Sequence, residues 1–212
     1  MHETVPRRTT AVPMLVVMVG LLMTLIDFWR YDGWDVLPDP LGYALIFMAL
    51  GPLARDERRL KIARWIAFAL VLVSVATLHE TREVLAEYGD TRYEANRLWP
   101  AVMGADVLDL VMVWFLVGGA SELAYRGRDF RLGEHILSYR GMYVAAAVLA
   151  MPCDAIFYLA APHEDSAEAA LFVRYYLGFP MKAFVGLAAA LIVQALWHTA
   201  WLPYDDDPAA SR

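Results

Sequence analysis

The stretch 98-LWPAVMGADVLDLVMVWFLVGGASELA-124 is almost entirely apolar, apart from three acidic residues and one serine. It exceeds the roughly 20 residues that a helix needs to cross about 30 Å of hydrocarbon. Five further apolar stretches occupy residues of about 11–28, 37–54, 62–80, 141–161 and 181–202. This pattern predicts an all-α, polytopic transmembrane bundle of about six spans, in which residues 1–212 form a single integral membrane domain.

The composition agrees with a membrane location. Hydrophobic residues make up 59% of the chain and the mean hydropathy is +0.43, whereas soluble domains are about 45–50% apolar. The single cysteine, Cys153, excludes an internal disulfide and is expected to be a small buried hydrophobic residue. Arginine far outnumbers lysine and alanine is abundant, which favours a bacterial source and therefore the bacterial cytoplasmic (inner) membrane.

The basic residues predict the orientation of the spans. Cytoplasmic loops of membrane proteins carry an excess of Lys and Arg. With six spans, 12 of the 18 basic residues fall on one side of the membrane. They lie before the first span, between the second and third, between the fourth and fifth, and at the end of the chain. We therefore expect a multi-pass protein with both termini in the cytoplasm.

Acidic side chains lie in or beside these spans, at Asp27, Asp35, Asp39, Asp106, Asp109 and Asp154. A carboxylate at membrane depth is costly, so it normally faces a partner, a cavity or a path. Asp106 and Asp109 share one helix face, about 12–16 Å below the outer end of their span. Asp154 approaches the same depth from the fifth span.

These three acids predict an outward-facing cavity that binds a cation or a proton. The alternative is a structural role, in which each acid bonds to a neighbouring helix or forms a salt bridge. Basic partners within reach of the outer side are His79, Arg174 and Lys182. Asp27 is expected to lie at the interface.

The second span begins with the run 35-DVLPDPLGY-43. Pro38 suits the first turn of a helix, and Asp35 and Asp39 suit its positively polarised end. The run resembles the motif D-I-L-P-D-x-I-G-Y of small, uncharacterised bacterial multi-span membrane proteins, with Leu41 in place of the usual isoleucine. The resemblance implies an ordered outer hairpin before the span and adds no reaction. Gly42 is expected to permit close helix packing, and Tyr43 completes the motif.

Other segments carry structural expectations. The alanines of span five (Ala145, Ala146, Ala147 and Ala150) and the Gly186–Ala190 pair of span six are typical of close helix packing, so both spans are expected at the centre of the bundle. Thr81–Tyr88 is compatible with a continuation of the third helix. Residues 166–179 either extend span six or form a separate amphipathic helix that ends at Gly178–Pro180; the second is favoured.

The motifs for chemistry are weak. A phosphate-binding glycine loop, a serine nucleophile motif, a paired-histidine zinc motif and a nucleic-acid-binding pattern are all missing from the sequence. Neither the histidines nor Lys182 fits a haem or retinal site, so we expect no cofactor, while a metal stays an open question. The sequence favours transport or permeation of a small solute or ion. The alternative is a non-catalytic subunit or scaffold of a membrane complex, and an enzyme is less favoured. Expected partners are the lipid bilayer and a membrane-protein partner or a second copy, but not nucleic acid.

Overall fold

The computed structural model describes residues 11–25, 30–31, 34–35, 39–77, 82–88, 91–96, 99–160, 169 and 172–201. Over these residues the chain forms a helical bundle with two small antiparallel hairpins. The helices are α1 (Ala11–Leu25), α2 (Asp39–Leu53), α3 (Arg58–Thr77), α4 (Trp99–Arg126), α5 (Phe130–Ala160) and α6 (Phe179–Ala200). A π-helical turn, Val173–Gly178, precedes α6. The strands are β1 (Arg30–Tyr31), β2 (Trp34–Asp35), β3 (Arg82–Tyr88) and β4 (Thr91–Asn96).

The helices are arranged as a ring. Each helix packs against the next one along the chain, and α6 packs against α1 to close the ring. The side chains that fill the centre are fully or almost fully buried and come from every helix, among them Met14, Ile46, Leu50, Leu70, Leu116, Ile136 and Leu196. The apolar faces of the six helices therefore form one contiguous core.

Three helices are long and apolar enough to cross a membrane, over Met103–Arg126, Phe130–Ile156 and Tyr176–Ala200. This supports a membrane protein. The helices Ala11–Thr24 and Asp39–Leu53 are apolar but shorter, and 15 residues of α-helix span only about 22 Å. The expected six spans therefore remain a prediction for α1, α2 and α3.

The α4–α5 connection is shorter than the gap between the apolar stretches 98–124 and 141–161 predicts. Only residues 127–129 separate the two helices. The carboxylate of Asp129 accepts a hydrogen bond of 2.9 Å from the backbone N–H of Leu132, which is the geometry of a helix N-cap. This cap starts α5 at Phe130, so the fifth helix begins 11 residues before the predicted span.

Two expectations about segments next to the spans are wrong. Residues 82–88 form strand β3 rather than a continuation of α3, and β3 pairs with β4 from Arg82↔Asn96 to Tyr88↔Thr91. The π-helical turn runs directly into α6, since Gly178 has helical backbone angles (φ −66°, ψ −46°). A separate amphipathic helix therefore does not end at Gly178, and the described residues 172–200 form one helical segment.

Helices α1 and α2 approach each other most closely at two glycines. A Cβ atom placed on Gly20 would lie 2.7 Å from the carbonyl oxygen of Gly42, and one on Gly42 would lie 2.8 Å from the carbonyl oxygen of Gly20. Real Cβ atoms do not come so near to a backbone atom, so a side chain at either position would push the helices apart. This contact fixes the position of the next residue, Tyr43.

The most central of the three long helices is α4, and not α5 or α6 as their small residues predict. In an apolar 18-residue segment of α4, 56% of the residues are buried, against 28% in the corresponding segment of α5 and 22% in that of α6. Gly186 and Ala190 are exposed, and a Cβ atom on Gly186 would meet nothing within 4 Å. The small residues of α6 therefore leave space beside the helix at Gly186 instead of bringing a neighbour close.

Candidate functional site

Asp109 is the centre of a polar contact among three helices. The hydroxyl of Tyr43 in α2 donates a hydrogen bond of 3.0 Å to its Oδ1 atom. The hydroxyl of Tyr143 in α5 donates one of 3.1 Å to its Oδ2 atom. Both tyrosines are buried, at 8% and 4% exposure. Each carboxylate oxygen of Asp109 thus has one fixed donor and keeps further acceptor capacity.

A second polar contact joins α5 to α6. Oδ1 of Asp154 lies 2.9 Å from Nζ of Lys182, and the side chains are 20% and 51% exposed. Lys182 therefore offsets the charge of Asp154. A salt bridge of this kind is one of the structural roles expected from the sequence as the alternative to a binding site.

These two contacts border one cavity of about 340 Å³. It lies among α4, α5 and α6, and its polar lining comprises Asp106, Asp109, Tyr143, Asp154 and Lys182. The apolar lining includes Ala147, Ala150 and Gly186. The three predicted acids therefore face the same space, although they lie at different positions along α4 and α5.

The spacing of α5 explains why there is room for the cavity. Tyr143, Ala147, Ala150 and Asp154 recur at intervals of four and three residues, so they share one face of the helix. The two middle positions carry only a methyl group, while the outer two carry polar groups. A helix with larger side chains at positions 147 and 150 would fill this space. The alanines thus serve the cavity as well as the packing.

An apolar layer separates this cavity from the other end of the bundle. The α4 residues that follow Asp109 along the helix include Met112, Val113, Leu116 and Val117, all at most 3% exposed. On α2 the corresponding residues after Tyr43 are Ile46 and Leu50, both fully buried. The polar cavity therefore ends at Asp109 and Tyr143.

Beyond this layer a separate charged group connects α3, α4 and α5. Nη1 of Arg59 lies 3.1 Å from Oε1 of Glu122 and also donates to the carbonyl oxygen of Gly118. Arg140 stacks over the ring of Trp114, with 3.9 Å from its guanidinium carbon to the ring centre. The helices therefore hold polar groups at two levels with an apolar layer between them.

The other predicted residues divide into two sets. Asp39 is the first residue of α2 and lies in its first turn, where an acidic side chain complements the helix dipole. Gly42 lies in the α1–α2 contact described above. Asp27, Pro38 and His79 lie outside the described residues, as do the side chains of Asp35 and Arg174. The proposed partnership of His79 or Arg174 with the acids stays a prediction.

Sequence reasoning missed Tyr143 and the role of Tyr43. The motif at residues 35–43 includes Tyr43 without indicating a contact for it, and Tyr143 belongs to no motif. A signal exists for Tyr143, because it shares a helix face with the deep carboxylate Asp154. The contact with Asp109 has no such signal, since the partners lie 34 and 66 residues away in the chain.

The chemistry of this set limits what it can bind. Among the residues that the structure describes, no group of three or more His, Cys, Asp or Glu side chains could hold a metal ion. The three carboxylates thus border a space without converging on one point.

No family model matches the chain, and neither a curated protein nor a solved structure matches it.

Proposed function

We propose that this chain is a multi-pass protein of the bacterial inner membrane that binds and moves a small, positively charged solute. In this proposal the chain crosses the membrane six times, both termini are cytoplasmic, and the cavity opens to the outside. One observation carries it, namely that Asp106, Asp109 and Asp154 border a single cavity of about 340 Å³. That volume is in the range of small-molecule sites.

The charges of the lining favour a cation. Three carboxylates face one ammonium group, that of Lys182. Even with the charge of Asp154 offset by the ion pair, Asp106 and Asp109 give the lining a net negative charge. Since the acids do not meet at one point, an organic cation with several hydrogen-bond donors fits the space better than a bare metal ion. Protons remain an alternative load for the same carboxylates.

Transport would require movement of the bundle. A solute bound beside Asp109 faces the buried layer of Met112, Leu116 and their neighbours. Crossing that layer means separating helices that pack against each other. We assign the main movement to α6, because it carries Lys182, half of the ion pair at the cavity, and its apolar 18-residue segment is less buried than that of α4.

Charge movement in reconstituted liposomes tests the proposal. Pulses of guanidinium or methylammonium, and a proton pulse, would be applied to the protein on a solid-supported membrane. We expect a charge displacement that disappears in Asp106→Asn/Asp109→Asn. Gly186→Leu should also abolish it, because this side chain fills the cavity without changing its charge.

The matched control is Asp56→Asn/Glu134→Gln, which removes two exposed acids that lie outside the cavity. It should retain the displacement. If the cavity variants kept full charge movement while folded, the acids would not be a transport site. The single variant Asp106→Asn is the one least expected to disturb the fold. The side chain of Asp106 is exposed, whereas the tyrosines that surround Asp109 are buried.

A second function, a non-catalytic subunit of a membrane complex, is favoured by one observation. Asp154 already has a cation at 2.9 Å, and Asp109 already accepts two tyrosine hydrogen bonds. Acids that are satisfied inside the chain need no ligand. Purification from native membranes in mild detergent distinguishes the two, because a subunit would bring a stoichiometric partner and show no charge movement alone.

A further inference from the structure

A second hollow lies at the opposite end of the bundle, where α2 turns into α3. Its volume is about 500 Å³, and its lining runs from Ala54 through Lys61 to Trp65. Three of the lining residues are the cations Arg55, Arg58 and Lys61, and two are the acids Asp56 and Glu57. The proposed transport function makes no use of this hollow.

Three other cations near the hollow are already engaged. Arg126 lies 2.7 Å from Oε2 of Glu57, which removes the charge of that acid from the hollow. Arg59 pairs with Glu122. Arg64 donates to the carbonyl oxygen of Phe47 and lies 4.6 Å from the centre of its ring.

Arg55, Arg58 and Lys61 differ from them. All three are exposed, and among the described residues none of them makes an ion pair or side-chain hydrogen bond. With Glu57 neutralised, the three cations outweigh the one remaining acid, Asp56. The hollow therefore carries a net positive charge that this chain does not compensate, and its chemistry suits a phosphate group.

An apolar strip leads away from the hollow along α3. Lys61, Trp65, Phe68, Leu72 and Val75 follow each other at intervals of four and three residues, on one face of the helix. The four apolar members are each at least 40% exposed. From Trp65 to Val75 the strip is about 15 Å long, which is half of the roughly 30 Å hydrocarbon core and so the depth of one leaflet.

Aromatic contacts hold the part of the strip nearest the hollow in a fixed shape. Phe47 of α2 packs against Trp65 and Phe68, with ring centres 6.1 and 5.3 Å apart, and Trp65 meets Phe68 edge to face. The strip is thus a rigid surface shared by two helices, in direct continuation of the basic hollow.

We propose that the α2–α3 turn and the exposed face of α3 form a binding site for one anionic phospholipid. Its phosphate group lies in the hollow against Arg55, Arg58 and Lys61, and one acyl chain lies along Trp65, Phe68 and Leu72. A general excess of positive charge would attract anionic lipids to any basic loop. The hollow adds a defined position, and the strip adds a requirement for an acyl chain.

Native mass spectrometry of the full chain in detergent tests this site. The probes are phosphatidylglycerol and phosphatidylcholine with identical acyl chains. We expect one phosphatidylglycerol to bind saturably and more tightly than phosphatidylcholine. Arg55→Gln/Lys61→Gln should weaken its binding roughly tenfold or more, since each basic residue near a membrane surface contributes about 1 kcal/mol towards anionic lipid. Trp65→Ala should weaken the binding of both lipids.

The matched control is Arg128→Gln/Arg131→Gln, which removes two exposed cations outside the hollow at the α4–α5 turn. It should retain the preference for phosphatidylglycerol. Equal binding of the two lipids, or equal losses in both double variants, would overturn the proposal. Glycerol phosphate is the soluble competitor. If it displaced the lipid completely at comparable concentration, the hollow would be a site for soluble phosphates instead of a lipid.

Discussion

The hydroxyl of Tyr43 in α2 donates a 3.0 Å hydrogen bond to Asp109 in α4, across 66 residues of sequence. This contact connects the motif at the start of the second apolar stretch with an acid within the fourth. Tyr43 holds this position because Gly20 and Gly42 let α1 and α2 meet one residue earlier. The motif therefore acts on the cavity through the carboxylate that borders it.

Tyr43→Phe is expected to destabilise the protein by about 0.5–2 kcal/mol, which is the usual range for a hydrogen bond between membrane helices. The substitution removes only the hydroxyl, so the packing of the ring is kept. Thermal unfolding in detergent measures the effect. Tyr139→Phe is the control, since among the described residues its hydroxyl has no hydrogen-bond partner, and it should change the melting temperature little.

Tyr43→Phe combined with Tyr143→Phe should cost more than the sum of the two single changes. Loss of one hydroxyl leaves Asp109 with one tyrosine donor. Loss of both leaves a half-buried carboxylate with neither of its two tyrosine donors, and an unsatisfied buried acceptor costs more free energy than a single exchanged hydrogen bond. Adding Asp109→Leu should recover part of the stability. Strict additivity in this mutant series would show that the two hydrogen bonds are independent of each other.

The sequence predicts the helices and the shared face of Asp106 and Asp109, because both follow from local hydropathy and helical spacing. It cannot predict the tyrosine partners of Asp109, since hydrogen bonds between distant helices leave no periodic trace. Tyr43 and Tyr143 each have many alternative neighbours until the ring of helices is closed. The sequence therefore predicts the acids of the site, but not the tyrosines that position Asp109.

The β3–β4 hairpin shows a different kind of error. Residues 82–88 contain glutamate, leucine and alanine, which favour a helix in isolation. The pairing Tyr88↔Thr91 encloses only two residues, Gly89 and Asp90. A two-residue Gly-Asp connection is a hairpin signal, so the turn overrode the helix propensity of the segment before it.

Exchange of the ion pair, Asp154→Lys with Lys182→Asp, should restore most of the stability that either single change removes. The pair is half open to the cavity, with Lys182 51% exposed. We therefore expect each single change to cost about 1 kcal/mol or less. Melting temperatures of the four proteins give the coupling energy between positions 154 and 182. A double variant no more stable than the singles would contradict a structural ion pair.

Gly42→Ala should destabilise the protein by about 1–3 kcal/mol, the usual cost of overpacking, because its Cβ atom would meet the backbone of Gly20. Gly20→Ala should behave in the same way. Gly104→Ala and Gly141→Ala are the controls, since a Cβ atom at either place meets nothing within 4 Å. Alanine favours a helix over glycine by about 1 kcal/mol, so the controls should be neutral or stabilising. Equal effects at all four positions would show that α1 and α2 are not in close contact.

The single cysteine makes it simple to measure which surfaces meet water. Cys153 is buried, and its thiol donates a hydrogen bond to the carbonyl oxygen of Leu149, which a serine can also reach. In a Cys153→Ser protein, Gly186→Cys places a thiol in the cavity lining. Ala183→Cys places one on an exposed part of α6, one turn away and outside that lining. Because only the thiolate reacts with maleimides, a thiol in lipid should label slowly.

With a membrane-impermeant maleimide added to intact cells, Gly186→Cys should be labelled and Ala183→Cys should not. Arg131→Cys, in the first turn of α5, should react only after the membrane is opened, as cytoplasmic termini and an outward-facing cavity require. If Arg131→Cys were labelled from outside and Gly186→Cys only after permeabilisation, the orientation would be reversed. The acidic cavity would then face the cytoplasm, and the basic hollow at residues 54–65 would face the outer leaflet.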